Sequence, residues 1–532
     1  MKTLYLHIGT RKTATTAIQS FLLSNRGALL ARGVDFPVMP FSADDYEREH
    51  NGAFLLDAHL SAAPHRRAGR LAAGLDCVTA AFDAADSVVL SGEDLWTVLA
   101  HGGDGFLCAL AAHAEEHAYA VKVIVYLRRQ DELAMSWRNQ DVKTGLASAY
   151  RTMTWEEWLG AQGECIFDYR AILDRIAAHV GRGNIIVRAY ERDALERSGG
   201  VLADFCSCIG IRTDGDFDLP ARDANSVSLG CDLTEVKRIA NIQTCHDPVA
   251  DALFWQAAIL CAVNAPVSVR PGSPATREGE PQVGEPREGG GGPRPAPPRQ
   301  SLFSPGEARA FLSRFQDGND AIAREFLHTD APLFSSAPPA DAVKWSPGTP
   351  EMTAEAIRFL RVACALQNAQ IAGEAPMCRR EGREDERVGL AEPPEAVLAI
   401  CREPQCPAEL AGVDAATLER ALRRVCDFLA VRQDRLAAAS PDAAGDPTAP
   451  AAFSVSASPV GPVADAELVA CIHALLGLDG ADPAAASLLA GSAARAALRR
   501  MRLTCRHAAD LVARAAGDPA RAVDYARRRL SL

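Results

Sequence analysis

The run Thr3-Leu4-Tyr5-Leu6-His7-Ile8-Gly9-Thr10-Arg11-Lys12-Thr13-Ala14-Thr15-Thr16 opens a 532-residue chain and restricts its fold more than any other stretch. The first half is apolar enough for a buried strand. The pattern breaks at Gly9, and a helical spacing of apolar residues resumes through Ile18, Phe21 and Leu22. Strand, loop and helix in that order turn loop amides and a helix N-terminus outward, beside a mobile cation at Lys12 and the hydroxyls of Thr13, Thr15 and Thr16. Such a loop is an oxyanion cradle, suited to phosphate or sulfate. Its spacing is not that of the common nucleotide triphosphatase loop, in which Gly-Lys-Ser/Thr follows four residues after the first glycine.

Further runs of the same kind predict an α/β fold with a parallel sheet flanked by helices. Ser87–Ser91 is a short β-branched run that stops at Gly92-Glu93-Asp94, and Val121–Leu127 is a second that stops at Arg128-Arg129. Asn184–Glu191 is a third, leaving the sheet at Tyr190-Glu191. Ligands in open α/β sheets bind outside such carboxyl ends, which puts Gly92-Glu93-Asp94 at a functional edge. Past Arg128 a helix continues with Ser136, Trp137, Asn139, Gln140 and Lys143 on a polar face. A guanidinium at a strand end offers phosphate a bidentate fork.

The order Lys12-Thr13-Ala14-Thr15-Thr16 after the first strand resembles the 5′-phosphosulfate loop of sulfotransferases that use 3′-phosphoadenosine 5′-phosphosulfate (PAPS). Arg128 with Ser136 eight residues on resembles the element that holds the 3′-phosphate in that family. Tyr190-Glu191 resembles its Tyr-Glu step, where the tyrosine packs on adenine, and Asn225-Ser226-Val227-Ser228-Leu229 is similar to a stretch in bacterial members. The resemblance spans about Met1 to Phe334. It implies a P-loop NTPase-like sulfotransferase fold and PAPS as sulfuryl donor, released as 3′-phosphoadenosine 5′-phosphate (PAP). Arg11, Lys12, Thr13, Ala14, Thr15, Thr16, Arg128, Ser136 and Tyr190 would bind it, Lys12 would neutralise charge on the bridging oxygen, and no metal would take part. The family usually carries Gly where Ala14 stands, so a left-handed backbone there would bring Cβ strain. Glu93 is expected to be the general base, as in several carbohydrate-acting members, with His50 as second candidate because imidazole titrates near neutrality. The implied acceptor is a hydroxyl or amine, on a carbohydrate or glycoconjugate. A nucleotide kinase or triphosphatase with an altered loop, and a non-catalytic scaffold of the same fold, are the alternatives.

Composition sets the remaining bounds. A net charge of −12 and a pI near 5.6 argue against nucleic acid or an anionic membrane as main partner, so an anion site must be a local basic pocket. Fifteen cysteines without a repeated spacing are expected to be reduced thiols. No signal peptide and no apolar run of about 20 residues is found, which leads to the expectation of a cytoplasmic protein with no transmembrane segment. Residues 1–340 are expected to form the sulfotransferase domain. Within it, residues 266–300 hold nine prolines and seven glycines and are expected to be a disordered insertion. Ser304-Pro305-Gly306-Glu307 has the capping spacing of a helix that returns to the core through Phe311, Phe315, Ile322 and Phe326. Residues 341–532 read as an Ala-rich helical extension of unassigned role, with helical patterns at 353–371, 414–439, 465–476 and 482–530, a charged stretch at 374–394 and a linker at 441–462.

Overall fold

The computed structural model describes residues 2–42, 45–58, 64–145, 148–213, 217–218, 227–244, 247–264, 300–375 and 393–402, with separate helical positions between 416 and 433. Residues 265–299, 376–392 and 434–532, Asn225 and Ser226 lie outside them. So do most of the Pro/Gly-rich insertion and of the charged stretch, the linker at 441–462 and the helical patterns beyond it.

Five strands form a parallel sheet: β1 (Thr3–His7), β2 (Val34–Asp35), β3 (Ser87–Ser91), β4 (Ala120–Leu127) and β5 (Ile185–Ala189), in the order β2-β3-β1-β4-β5. Every pairing is parallel, and β1 lies between β3 and β4, with Leu6 opposite Leu90 on one side and Val123 on the other. Parallel neighbours need crossovers long enough to return the chain, so helices cover both faces and the strands are apolar on both sides. The two-residue period divides the residues cleanly. Leu4, Leu6, Val88, Leu90, Val123 and Val125 face one core, with helices Asp94–Ala100, Gly105–Glu116 and Tyr169–Val180. Val89, Ile124 and Tyr126 face the other, with helices Thr15–Ser24 and Val201–Cys208.

The structure agrees with the expected parallel α/β class and departs from the sequence in detail. β2 has only two residues, too few for a periodic signal, and exists through its pairing with Ser87 and Val88. The helix expected from Ser304 carries the full capping box, Ser304 and Glu307 exchanging side-chain and backbone bonds, but it breaks at Phe315 into Pro305–Ser313 and Gln316–Phe326. Phe311, Phe315 and Ile322 return to the sheet's core as expected, Phe326 packs against it partly buried, and Phe303 and Leu333 join them. No single helix among the described residues is long and apolar enough to cross a membrane; the bent pair Asp94–Ala100 and Gly105–Glu116 is apolar because it packs on the sheet.

A separate apolar cluster joins helices Cys231–Thr244, Pro248–Val263, Pro350–Ile371 and Glu395–Arg402. It crosses the boundary expected after residue 340. Phe254 and Phe359, one from each side, have ring centroids 5.8 Å apart, and Trp345 Nε1 donates to Asp232 Oδ1 at 2.7 Å. The first helical part of the extension thus shares a core with residues that precede it. Phe359 is fully buried, so Phe359→Ala should lower the unfolding free energy by about 3–5 kcal/mol, read as a fall in the urea midpoint. A loss below about 1 kcal/mol would mean that the two sides do not share a core.

Candidate functional site

Where β1 leaves the sheet its backbone stays tied to β4. Ile8 N–H donates to the Ile124 carbonyl at 3.1 Å, and Thr10 donates to the Tyr126 carbonyl through N–H at 3.4 Å and Oγ1 at 3.0 Å. Thr13 Oγ1 donates back to the Thr10 carbonyl at 2.6 Å and closes the turn. Lys12 and Ala14 both have left-handed backbones, at φ 67° and 63°, and Ala14 is the N-cap residue of helix Thr15–Ser24 without a capping side chain. The Cβ strain expected at Ala14 is therefore built into the loop.

Gly9 is needed for room. A Cβ there would lie 3.1 Å from Thr15 Oγ1, 3.2 Å from His7 Nε2 and 3.4 Å from Thr13 Oγ1. Thr15 is 2% exposed and His7 fully buried, yet Thr15 Oγ1 and His7 Nε2 have no hydrogen-bond partner. An unsatisfied buried polar atom costs about 1–3 kcal/mol, so these two atoms beside Gly9 have hydrogen-bonding capacity to offer. Behind them His7 Nδ1 meets Ser91 Oγ at 2.9 Å, and Gln19 Nε2 donates to the same oxygen at 3.1 Å. Asn51 fixes this edge, accepting from Ser91 N–H at 2.8 Å and donating to the Pro37 and Val89 carbonyls at 3.0 and 3.1 Å.

Cations surround the loop mouth. Lys12 Nζ donates to Gln140 Oε1 at 3.0 Å. Arg11 pairs with Asp94 and lies over the Trp137 ring, 5.5 Å from its centroid. Burial opposes ionisation of Asp94, but Arg11 outweighs it and, with help from His50, holds the carboxyl below its usual range. Arg128, at the end of β4, donates through Nη1 to the Lys12 carbonyl and through Nε to Glu132 Oε2, both at 3.3 Å, and lies 5.9 Å from the Tyr190 ring centroid. Ser136 is half-buried on helix Gln130–Lys143, one turn from both Glu132 and Gln140, so it shares their face toward residues 128 and 12. Thr16 is half-buried in the first turn of its helix, and Glu93 precedes the first residue of helix Asp94–Ala100.

The loop residues, Arg128 and Tyr190 thus lie at one sheet edge, while His50 comes in beside Asp94 because Asn51 and Gly52 are bonded to β3. Glu191, next to Tyr190, is used structurally: its carboxylate accepts from the backbone and hydroxyl of both Ser335 and Ser336 at 2.6–2.9 Å. Sequence reasoning did not assign roles to Asp94, Glu132, His7, Ser91, Gln19 or Asn51. Asp94 beside Glu93 and Glu132, four residues after Arg128, carried local signals; the others are defined by partners far along the chain. A cavity of 460 Å³ lined by Ser24, Arg26 and Arg48 lies at the far end of helix Thr15–Ser24, about 15 Å of helix from the loop.

Comparison with protein-family models, with curated proteins and with solved structures gave no match to this chain.

Two outcomes follow from the loop. Ala14→Gly should raise stability by up to about 1 kcal/mol, since relief of left-handed strain exceeds the entropy gained by the unfolded chain; a lower melting temperature would count against the left-handed assignment. Burial lowers the His7 pKa from 6.5 to about 3. Below pH 6.5 the unfolded chain then binds a proton that the native state refuses, so His7 destabilises the fold by about 1.4 kcal/mol per pH unit as pH falls toward 3. Urea unfolding of the wild type and His7→Gln at pH 7 and pH 5 should show the difference moving in favour of the variant at pH 5; an unchanged difference would refute a buried neutral His7.

Proposed function

We propose that this chain is a PAPS-dependent sulfotransferase of P-loop-like fold that moves the sulfuryl group to a hydroxyl or amine acceptor, on a carbohydrate or glycoconjugate. The observation that supports it is the convergence of polar groups on Gly9. A buried hydroxyl without a partner and the N-terminus of a ten-residue helix meet beside Gly9, where the central strand leaves the sheet, and the same loop carries Lys12, whose ammonium reaches Gln140. The residues fit a doubly anionic donor. Thr15, Thr16 and the loop amides would hold the 5′-phosphate; Thr13, whose hydroxyl is taken by the Thr10 carbonyl, would contribute shape and backbone. Arg128 and Ser136 would hold the 3′-phosphate, with Tyr190 against the base.

Held at both ends, the sulfur is presented in line to the acceptor oxygen or nitrogen. A bond forms from acceptor to sulfur as the bond from sulfur to the bridging oxygen breaks, and PAP leaves. Lys12 meets the charge that builds on that oxygen. Glu93 takes the acceptor proton, with His50 as the other candidate. Asp94 is committed to Arg11 and is left out of that role.

Calorimetry with PAP and with adenosine 5′-phosphosulfate, which lacks the 3′-phosphate, tests the donor site. Arg128→Ala should weaken PAP by about 1.5–3 kcal/mol and hardly change the second ligand. Lys12→Ala should lower turnover of PAPS by about two to three orders of magnitude with a smaller loss of PAP affinity. If the wild type binds neither nucleotide, the proposal fails; if Arg128→Ala weakens both equally, Arg128 serves the loop through the Lys12 carbonyl and not the 3′-phosphate.

A further inference from the structure

Helices Gly105–Glu116 and Tyr169–Val180 bring three side chains into a line outside the loop site. Cys108 Sγ lies 3.7 Å from His179 Nδ1, and His179 Nε2 lies 3.0 Å from Asp104 Oδ2. The first helix sets one spacing: Asp104 is its N-cap residue, and Cys108, one turn on, donates its N–H to the Asp104 carbonyl at 3.2 Å. The second helix supplies the imidazole between them. The hydrogen bond from His179, joined by the charges of His179 and Arg175, holds the Asp104 carboxyl below its usual range.

An ionised Asp104 accepts a hydrogen bond from Nε2–H, which leaves the Nδ1 lone pair facing sulfur. Nucleophile, base and orienting carboxylate then stand in the order that nucleophilic chemistry uses. The arrangement is a relay and not a ring of ligands, since the imidazole uses one nitrogen toward sulfur and the other toward oxygen. Among the described residues no such group of side chains is placed to hold a metal ion. Cys108 is exposed, so a small molecule can reach it. Arg175, one turn before His179, places a guanidinium beside the cluster and donates to the Leu99 carbonyl at 2.9 Å.

We propose that Cys108 is a thiol modification site that exchanges with small disulfides bearing carboxylates, with His179 as base, Asp104 orienting the imidazole and Arg175 attracting the anionic group. Sγ attacks one sulfur of the disulfide, and a Cys108–sulfur bond forms as the original sulfur–sulfur bond breaks. The thiol proton passes to His179 and on to the departing sulfur, which leaves as a thiol. One disulfide is consumed and one mixed disulfide forms, with no other oxidant needed.

Cys165 provides the control, being exposed in the same chain with no hydrogen bond to a His or Asp side chain. The full-length protein is incubated with glutathione disulfide at pH 7, and the modified fraction of each cysteine is followed by mass spectrometry of its peptides. Cys108 should react at least about tenfold faster than Cys165, within the range a positioned base supplies. His179→Gln should bring the Cys108 rate down to that of Cys165, and Asp104→Asn should lower it by a smaller factor, while the Cys165 rate stays constant as a check on folding. Equal rates in the wild type overturn the proposal. So does a Cys108 rate that His179→Gln leaves unchanged, or, if that variant does not fold, one that Asp104→Asn leaves unchanged.

Discussion

The position of β1 inside the sheet is the constraint on which the candidate site depends. With β3 and β4 paired on either side, its backbone has no freedom to shift, and the bonds from Ile8 and Thr10 to the Ile124 and Tyr126 carbonyls extend that restraint past the strand's end. The loop therefore begins from a fixed point, and its two left-handed residues, Lys12 and Ala14, can be held in conformations that a free peptide would leave. Strain at the loop is tolerated because the sheet over-determines it.

A second layer of order comes from polar groups behind the loop. His7, Ser91, Gln19 and Asn51 tie the ends of β1 and β3, the helix after the loop and the segment carrying His50 into one buried network. Partial satisfaction of such a network is costly, which makes the unpartnered Thr15 Oγ1 and His7 Nε2 informative: they lie beside Gly9, where a side chain is excluded and polar atoms crowd together. In front of the loop, charges are paired before any ligand arrives, Arg11 with Asp94 and Arg128 with Glu132. Under the proposed function, an incoming anion would have to compete with carboxylates at both places.

The helical cluster formed by Cys231–Thr244 and Pro248–Val263 with Pro350–Ile371 and Glu395–Arg402 shows a different use of sequence. Helix Pro248–Val263 is apolar almost all round, and a helix of that kind needs cover on every side. Cover from Cys231–Thr244 alone is not enough. Pro350–Ile371 completes it, which is why an apolar core runs through a point where composition alone suggested a change of domain.

By itself the sequence determined the parallel α/β class, because continuous apolar runs ending at Gly9, Gly92 and Arg128 can be satisfied only as buried strands with helices on both faces. It also determined the loop and the capping box at Ser304, whose signals are local: φ preferences, hydroxyl spacing and helix ends act over a few residues. Tertiary structure alone decided which distant polar groups meet the loop's cations, since Arg11 and Asp94, or Lys12 and the Gln140 amide, are brought together by strand order and not by spacing. The same holds for the two-residue β2, the break at Phe315 and the core shared across residue 340. Each depends on a partner dozens to hundreds of residues away, and no local pattern of residues can encode a contact whose energy exists only after the sheet has formed.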